Sequence, residues 1–269
     1  MSTEAADKAL KNAEISAEDV DIIIAATVSA DKYLPGLACE VQKNIGADNA
    51  VAFDINAACS GFLFALDTAA LYLEHGGYQH ALVIGAETLS KMMDWTDRST
   101  CVLFGDGAGA AVLSASEEDG ILSMVQGSDG FRGDVLNCIA RKVNNPYKKS
   151  DTALSYVSMN GQEVYRFAVK TVPKAVTDAV EQAGLQLEEI DLFLLHQANY
   201  RIIEAVSKRL GQPMEKFPTN LEECGNISAA SVPILLDNVN NHGMMRKGMK
   251  IVLAGFGAGL TWGATVINW

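Results

Sequence analysis

Two rhythms of apolar residues alternate along the chain. Short, almost continuous apolar runs at residues 20–27 (VDIIIAAT), 51–55 (VAFDI) and 80–86 (HALVIGA) predict buried strands. Between them, apolar side chains return every three or four positions. Ala6, Ala9, Leu10 and Ala13 mark a helix over residues 4–14, residues 33–45 predict a second, and Phe62, Leu63, Leu66, Ala69, Ala70 and Leu73 a third. Strand and helix in alternation predict an α/β fold with largely parallel, layered sheets. Residues 87–100 (ETLSKMMDWTDRST) interrupt the pattern as a polar loop, and residues 104–115 (FGDGAGAAVLSA) predict a glycine-rich turn feeding another strand. Glycines that precede a strand rather than a helix favour tight chain packing over a phosphate cradle. Residues 127–152 are the least regular, and their basic cluster Arg141, Lys142, Lys148 and Lys149 reads as a solvated surface loop.

The pattern then repeats. Residues 8–24 resemble residues 176–194, with Asp191 lying 170 positions after Asp21, and LVIGAE at 82–87 matches IVLAGF at 251–256 with an offset of 169. Between these segments, NAACSGFLFALDTAALYLEHG and GNISAASVPILLDNVNNHG predict helices of similar length that each close on His-Gly. Offsets agreeing to within one residue predict a tandem duplication of one α/β unit. The expected division gives a first half at residues 1–125 and a second at 126–269. Residues 154–167 (LSYVSMNGQEVYRF) read as an opening segment of the second half whose counterpart would precede residue 1. The first half is therefore expected to lack its opening strand, leaving a sheet edge to be covered another way.

Composition narrows the function. With 269 residues, 49% of them hydrophobic, the chain has ample length for a core, and a net charge of −12 argues against a nucleic-acid partner. Five cysteines without a CxxC spacing, beside four histidines, fit neither a disulfide framework nor a metal site. No apolar run approaches membrane-spanning length and MSTEAADKAL carries no signal-like core, so a cytoplasmic protein without a membrane partner is expected.

The candidate chemistry centres on Cys59, in the turn between the strand at 51–55 and the helix that follows. Free backbone N–H groups and the helix dipole favour negative charge there, which predicts a lowered thiol pKa and a nucleophilic thiolate. Three features converge on it. His196 ends the apolar run LFLL, at the strand end where α/β sheets bind ligands. Asn226 occupies the repeat-related turn, as a helix cap or as a donor into the site. Residues 255–263 (GFGAGLTWG) place four glycines where backbone N–H groups approach a reacting atom closely. A thiol, a neutral imidazole, an amide and a glycine loop in one crevice suit acyl transfer through a thioester. Cys59 would carry the acyl group, the amides of Cys59 and Ala258 would hold the oxyanion, and His196 and Asn226 would stabilise an enolate formed by decarboxylation of a second thioester.

On AACSGF, GDGAGAAVL, MNGQEVYRFAV, HQAN, GNISAASVP and FGAGLTWG, all in family order, the sequence resembles the β-ketoacyl-[acyl-carrier-protein] synthase III family of the thiolase fold. The resemblance implies layered α-β-α-β-α halves. It also implies condensation of an acyl-CoA primer, such as acetyl-CoA, with malonyl-[acyl-carrier-protein], at the start of fatty-acid synthesis and without metal or redox cofactor. It makes Cys59, His196 and Asn226 the catalytic set and assigns coenzyme A contacts to Arg98 and Asn199. Phe256 would gate the site, and Leu34 would reach the acyl pocket of a homodimer partner. Gln197, Ala198, Asn199, Tyr200 and Arg201, with the basic Arg166, Lys208 and Arg209, would receive the acidic carrier protein. The family's first strand, and the N-terminal Trp and Arg that clamp adenine, find no counterpart here. A type III polyketide synthase-like acyltransferase and an inactive scaffold of the same fold are the rival readings.

Overall fold

The computed structural model of the chain describes residues 1–118, 120–140, 142–151 and 155–269; Arg141 and Leu154, named above, lie outside the described residues. The first half runs α1 (Ser2–Ala13), β1 (Ile22–Ala26), α2 (Leu37–Ile45), β2 (Val51–Ile55), α3 (Gly61–His75), β3 (His80–Thr88) and β4 (Asp106–Ser114). The second runs β5 (Ile121–Ser128), the two-residue strands β6 (Leu136–Asn137) and β7 (Ser158–Met159), α4 (Gly161–Gln182), β8 (Leu192–Leu195), α5 (Tyr200–Leu210), α6 (Leu221–Cys224), α7 (Ser231–Asn241), β9 (Lys250–Gly257) and β10 (Thr261–Asn268). Two four-stranded sheets result, with orders β2-β1-β3-β4 and β5-β10-β9-β8. In the first, β1 pairs in parallel with β2 and β3, and β4 runs antiparallel to β3; in the second, only the β8–β9 pair is parallel, and β9–β10 and β10–β5 are antiparallel, so the second sheet is less parallel than the alternation predicts.

Three apolar clusters define five layers. Ala6, Leu10, Ala38 and Val41 of the outer helices pack on one face of the first sheet. Phe62, Leu66, Leu235 and Val239 of α3 and α7 fill the space between the two sheets. Phe167, Val176, Ile203 and Val206 of α4 and α5 close the far face of the second sheet. Helix α3 is buried on nearly every side of its first two turns because sheets lie above and below it, which explains why its apolar positions spread beyond one stripe. Its one buried charge, Asp67, accepts hydrogen bonds from Thr265 Oγ1 (3.1 Å) and from Gln126 Nε2, tying the helix to β10 and β5.

The duplication is visible atom by atom. Ala58 and Ser228 both take left-handed backbone (φ 47° and 46°), and the side-chain Oδ1 atoms of Asn56 and Asn226 accept the N–H groups two residues on, at 3.2 and 2.9 Å. Each turn then enters its central helix.

Several expected boundaries shift. Helix α2 starts at Leu37, not residue 33, because the Asp54 carboxylate accepts the Leu37 and Ala38 N–H groups (2.6 and 2.7 Å) and fixes the first turn there. The glycines of residues 105–109 lie within or against β4 rather than in a turn; a Cβ on Gly109 would lie 2.8 Å from Ile234 N, so the strand rests directly on α7. The second half opens with β5, which pairs with β10, whereas residues 158–167 hold the short β7 and the start of α4. A division after residue 125 therefore cuts through β5.

Candidate active site

Cys59 sits in the single helical turn, residues 58–60, that precedes α3. It lines a cavity of about 1280 Å³ together with Asn56, Phe104, Ser228, Ala258 and Thr261. Gly257 explains how the terminal loop comes so close. A Cβ there would stand 2.6 Å from Cys59 N and 2.9 Å from Cys59 Cβ, so only glycine lets β9 touch the nucleophile's turn. Thr261 Oγ1 bridges from the same hairpin to Ala57 O (3.0 Å) and Ala258 O (3.0 Å). Ala258 thus lines the same cavity as Cys59.

His196 follows the last residue of β8, its backbone N–H held by Ala254 O (2.7 Å) and its ring edge-on to Phe256 at 5.5 Å. Cys59 and His196 flank Gly255, whose Cβ position is 3.5 Å from Cys59 O and 3.6 Å from His196 Cβ. Burial lowers the imidazole pKa to about 4, so the ring is neutral near pH 7, and its Nδ1 is buried without a hydrogen-bond partner. Asn226 is buried beside Phe104, with which it forms an isolated bridge. Because the Ser228 N–H can only donate, the atom facing it is Asn226 Oδ1, which leaves Nδ2 as a donor. Asn226 therefore closes its own turn rather than capping a helix, the cap positions being Ile227 and Ala230, and it keeps Nδ2 as a donor.

One expectation reverses. The helix N-terminus does not lower the Cys59 pKa; burial pushes it up to about 12, with the Glu87 carboxylate adding to the rise and the Ser228 hydroxyl opposing it. A helix dipole contributes up to about 2 kcal/mol in favourable geometry, while full desolvation of a charge moves a pKa by up to about 3–5 units, and the larger effect wins.

The outlying assignments divide. Gln197 is 1% exposed, its N–H donated to Ser231 Oγ, its Nε2 to Leu195 O and its Oε1 accepting from Asn220, so it forms no part of a docking surface. Ala198 is half-buried, and Asn199 is the exposed cap of α5, accepting from Arg201 N (2.9 Å). Tyr200, Arg201, Arg209 and Arg98 are exposed. Arg166 and Lys208 are exposed but paired to Glu163 (2.7 Å) and Glu204 (3.0 Å). Leu34, at 86% exposure, projects beside Lys32 and Tyr33 of the cavity rim, and Phe256 is buried against His196 and Phe167. The sequence reading missed Glu87 and Ser228. Glu87 was placed in a polar loop, yet it is the penultimate residue of β3 and is buried. The usable signal was its register in the repeat, one residue beyond the apolar run LVIGA.

Among the described residues no group of three or more potential metal ligands occurs, and no helix is long and apolar enough to cross a membrane. Residues 53–130 match the family model 3-Oxoacyl-[acyl-carrier-protein (ACP)] synthase III, and residues 180–269 match its C-terminal companion. The Beta-ketoacyl-[acyl-carrier-protein] synthase III of Clostridium acetobutylicum is 49% identical over 270 residues, covering all of this chain and 83% of that protein. The crystal structure of 3-oxoacyl-[acyl-carrier-protein] synthase III from Aquifex aeolicus superposes with a TM-score of 0.92 at 41% identity, over 100% of this chain and 83% of that one. The priming β-ketosynthase from the R1128 polyketide pathway reaches 0.93 at 35% identity, over 100% and 80%. With its thiolase-like layers and its Cys59 turn, the chain belongs to the β-ketoacyl-[acyl-carrier-protein] synthase III family, acyltransferases that condense an acyl-CoA primer with malonyl-[acyl-carrier-protein] to initiate fatty-acid synthesis.

Proposed function

We propose that Cys59 takes the acyl group of a short acyl-CoA, acetyl-CoA being the simplest, and that His196 and Asn226 then promote decarboxylation of malonyl-[acyl-carrier-protein]. The resulting carbanion attacks the Cys59 thioester, giving a 3-oxoacyl-[acyl-carrier-protein] and regenerating the thiol. The observation that carries this reading is the pairing of the duplicated turns. One presents the thiol, the other the Asn226 amide, and a neutral His196 lies across Gly255 from the first. A neutral imidazole and an amide donate hydrogen bonds to an enolate oxygen without placing a full charge beside the malonyl carboxylate that must leave. No metal or redox cofactor enters this scheme. Arg98 and Asn199 would meet coenzyme A, and the exposed Tyr200, Arg201 and Arg209 would meet the acidic carrier.

We also infer a cytoplasmic homodimer. Its support is the open outer edge of β2, where Val51 is exposed, the exposed Leu34 at the cavity rim, and five free cysteines. Sedimentation at micromolar concentration checks the assembly.

The intact mass after incubation with acetyl-CoA tests the core claim. A gain of one acetyl group that disappears in Cys59→Ala is expected; no adduct on folded protein favours the inactive-scaffold reading. Asn226→Ala should keep the acetyl adduct while suppressing carbon dioxide release from malonyl-carrier, and equal loss of both half-reactions would refute its assigned role.

A further inference from the structure

The two halves deliver their functional turns in different ways. In the first, β2 leads to Asn56 and the Cys59 turn, and the ladder from Ile22–Val51 to Ala26–Ile55 holds it in register beside β1. The Thr27 N–H then donates to Ile55 O (3.2 Å). The repeat offset of 170 puts residues 221–225 in the place of β2. No strand forms there: Leu221–Cys224 make the short α6, and β8 is the last strand of its sheet. The segment that leads to Asn226 therefore has no ladder tying it to the strand that ends beside His196.

Gln197 supplies the missing tie. It lies 170 positions after Thr27, next to His196, and is buried. Its Oε1 accepts the Asn220 N–H (3.2 Å) just before α6, and its backbone N–H donates to Oγ of Ser231 (2.8 Å), the first residue of α7. Its Nε2 donates to Leu195 O (2.8 Å), which fixes the amide plane with Oε1 turned to Asn220. One residue thus holds the Asn226 turn from both sides. The backbone of Asn226 pairs with the other half, its N–H with Leu103 O (3.0 Å) and its C=O with Gly105 N (2.9 Å), while His196 hangs from Ala254 O. Farther from the site, Phe217 stacks on Phe193 of β8 with ring centres 4.7 Å apart. The first copy has neither polar group. Thr27 and Gly61 stand at the positions of Gln197 and Ser231, and a Cβ on Gly61 would lie 3.0 Å from Ala26 Cβ. The amide and the hydroxyl occur only in the copy whose strand is lost.

We propose that Gln197 is a positioning residue for the decarboxylation step, setting the Asn226 amide relative to the His196 ring. It touches neither thioester. An imidazole and an amide stabilise one enolate oxygen together only when both donors point at it, and a misplacement of about 1 Å costs about a hundredfold in rate. The Cys59 turn is held differently, by the β1–β2 ladder behind it and by Gly257 and Thr261 of the terminal hairpin. Acyl transfer to Cys59 therefore does not depend on Gln197.

The inference rests on the roles proposed above for His196 and Asn226, so Asn226→Ala is measured beside Gln197→Met, which keeps the length of the side chain and removes its amide. Two rates are followed: Cys59 acetylation by acetyl-CoA, read by intact mass, and carbon dioxide release from malonyl-carrier. Gln197→Met should acetylate Cys59 at the wild-type rate while kcat for carbon dioxide release falls about tenfold to a hundredfold. KM for malonyl-carrier should stay unchanged, because the side chain is buried away from any docking face. Ser231→Ala, which takes the acceptor from the Gln197 N–H, should show the same split to a smaller degree, and it decides the question if Gln197→Met does not fold. A purely structural role lowers both rates together, and a carrier contact raises KM at constant kcat. Either result, or unchanged carbon dioxide release, overturns the proposal. If Asn226→Ala releases carbon dioxide at the wild-type rate, the reading of the site fails and this inference with it. If Asn226→Ala loses that release and Gln197→Met keeps it, this inference alone fails.

Discussion

Burial, not local sequence, sets the ionisation of the residues that matter most. Cys59, His196 and Asp67 are each moved far from their ordinary pKa by desolvation, the thiol and carboxyl upward and the imidazole downward. Asp67 gives a stability test of this. Its folded pKa of about 7 stands above the unfolded value of 3.8, so between those values the folded chain holds the proton more tightly. Its contribution is full below pH 3.8 and is lost as pH rises toward and through 7, so stability from this group falls with rising pH. Asp67→Asn removes the titration while keeping an oxygen for Thr265 Oγ1. The Tm of the variant relative to wild type should be higher at pH 8 than at pH 5. An equal difference at both would mean that the Asp67 carboxyl does not titrate differently on folding. The sequence singled out Cys59, His196 and Asn226 because each lies at a motif with its own punctuation. Glu87 carried no such mark, since a glutamate opening a polar stretch looks solvated until the sheet around it is known.

At the scale of elements, alternation and repeat were legible because periodicity is local and duplication is an offset. Boundaries were less so, because they depend on partners distant in sequence. Helix α2 shows how. Pro35-Gly36 marks a break within residues 33–37 that the apolar spacing alone passes over, and Asp54, on the strand after the helix, fixes the first turn at Leu37 by accepting two of the orphan N–H groups. Asp54→Ala should destabilise the fold by about 1 kcal/mol, the usual worth of a carboxylate cap, read as a lower urea midpoint with unchanged m-value. The glycine-rich start of β4 was read as a turn feeding the strand for a similar reason. Its glycines answer to α7, more than a hundred residues later in the chain, rather than to any local change of direction.

For the whole molecule, the charge distribution must reconcile a net −12 with an acidic carrier. Four basic side chains on α4 and α5 were expected to supply the patch, but two are already paired within their own helices, Arg166 with Glu163 and Lys208 with Glu204. A surface lysine held by an i,i+4 glutamate presents little net field beyond a Debye length of about 8–10 Å. On the proposed docking face the steering would therefore fall to Arg201 and Arg209, both exposed on α5, whose first residue lies four positions beyond His196. Charge reversal of both, Arg201→Glu with Arg209→Glu, should raise the KM for malonyl-carrier about tenfold at low salt and reverse its dependence on ionic strength, added salt now lowering the KM, because encounter with an acidic partner is then repelled by the field rather than steered by it. Cys59 acetylation by acetyl-CoA, in which the carrier takes no part, reports whether the site itself is intact. If the KM for the carrier and its salt dependence stay at wild-type values in that double variant, the carrier approaches across another face, and the cavity rim near Lys32 and Lys142 becomes the next surface to reverse.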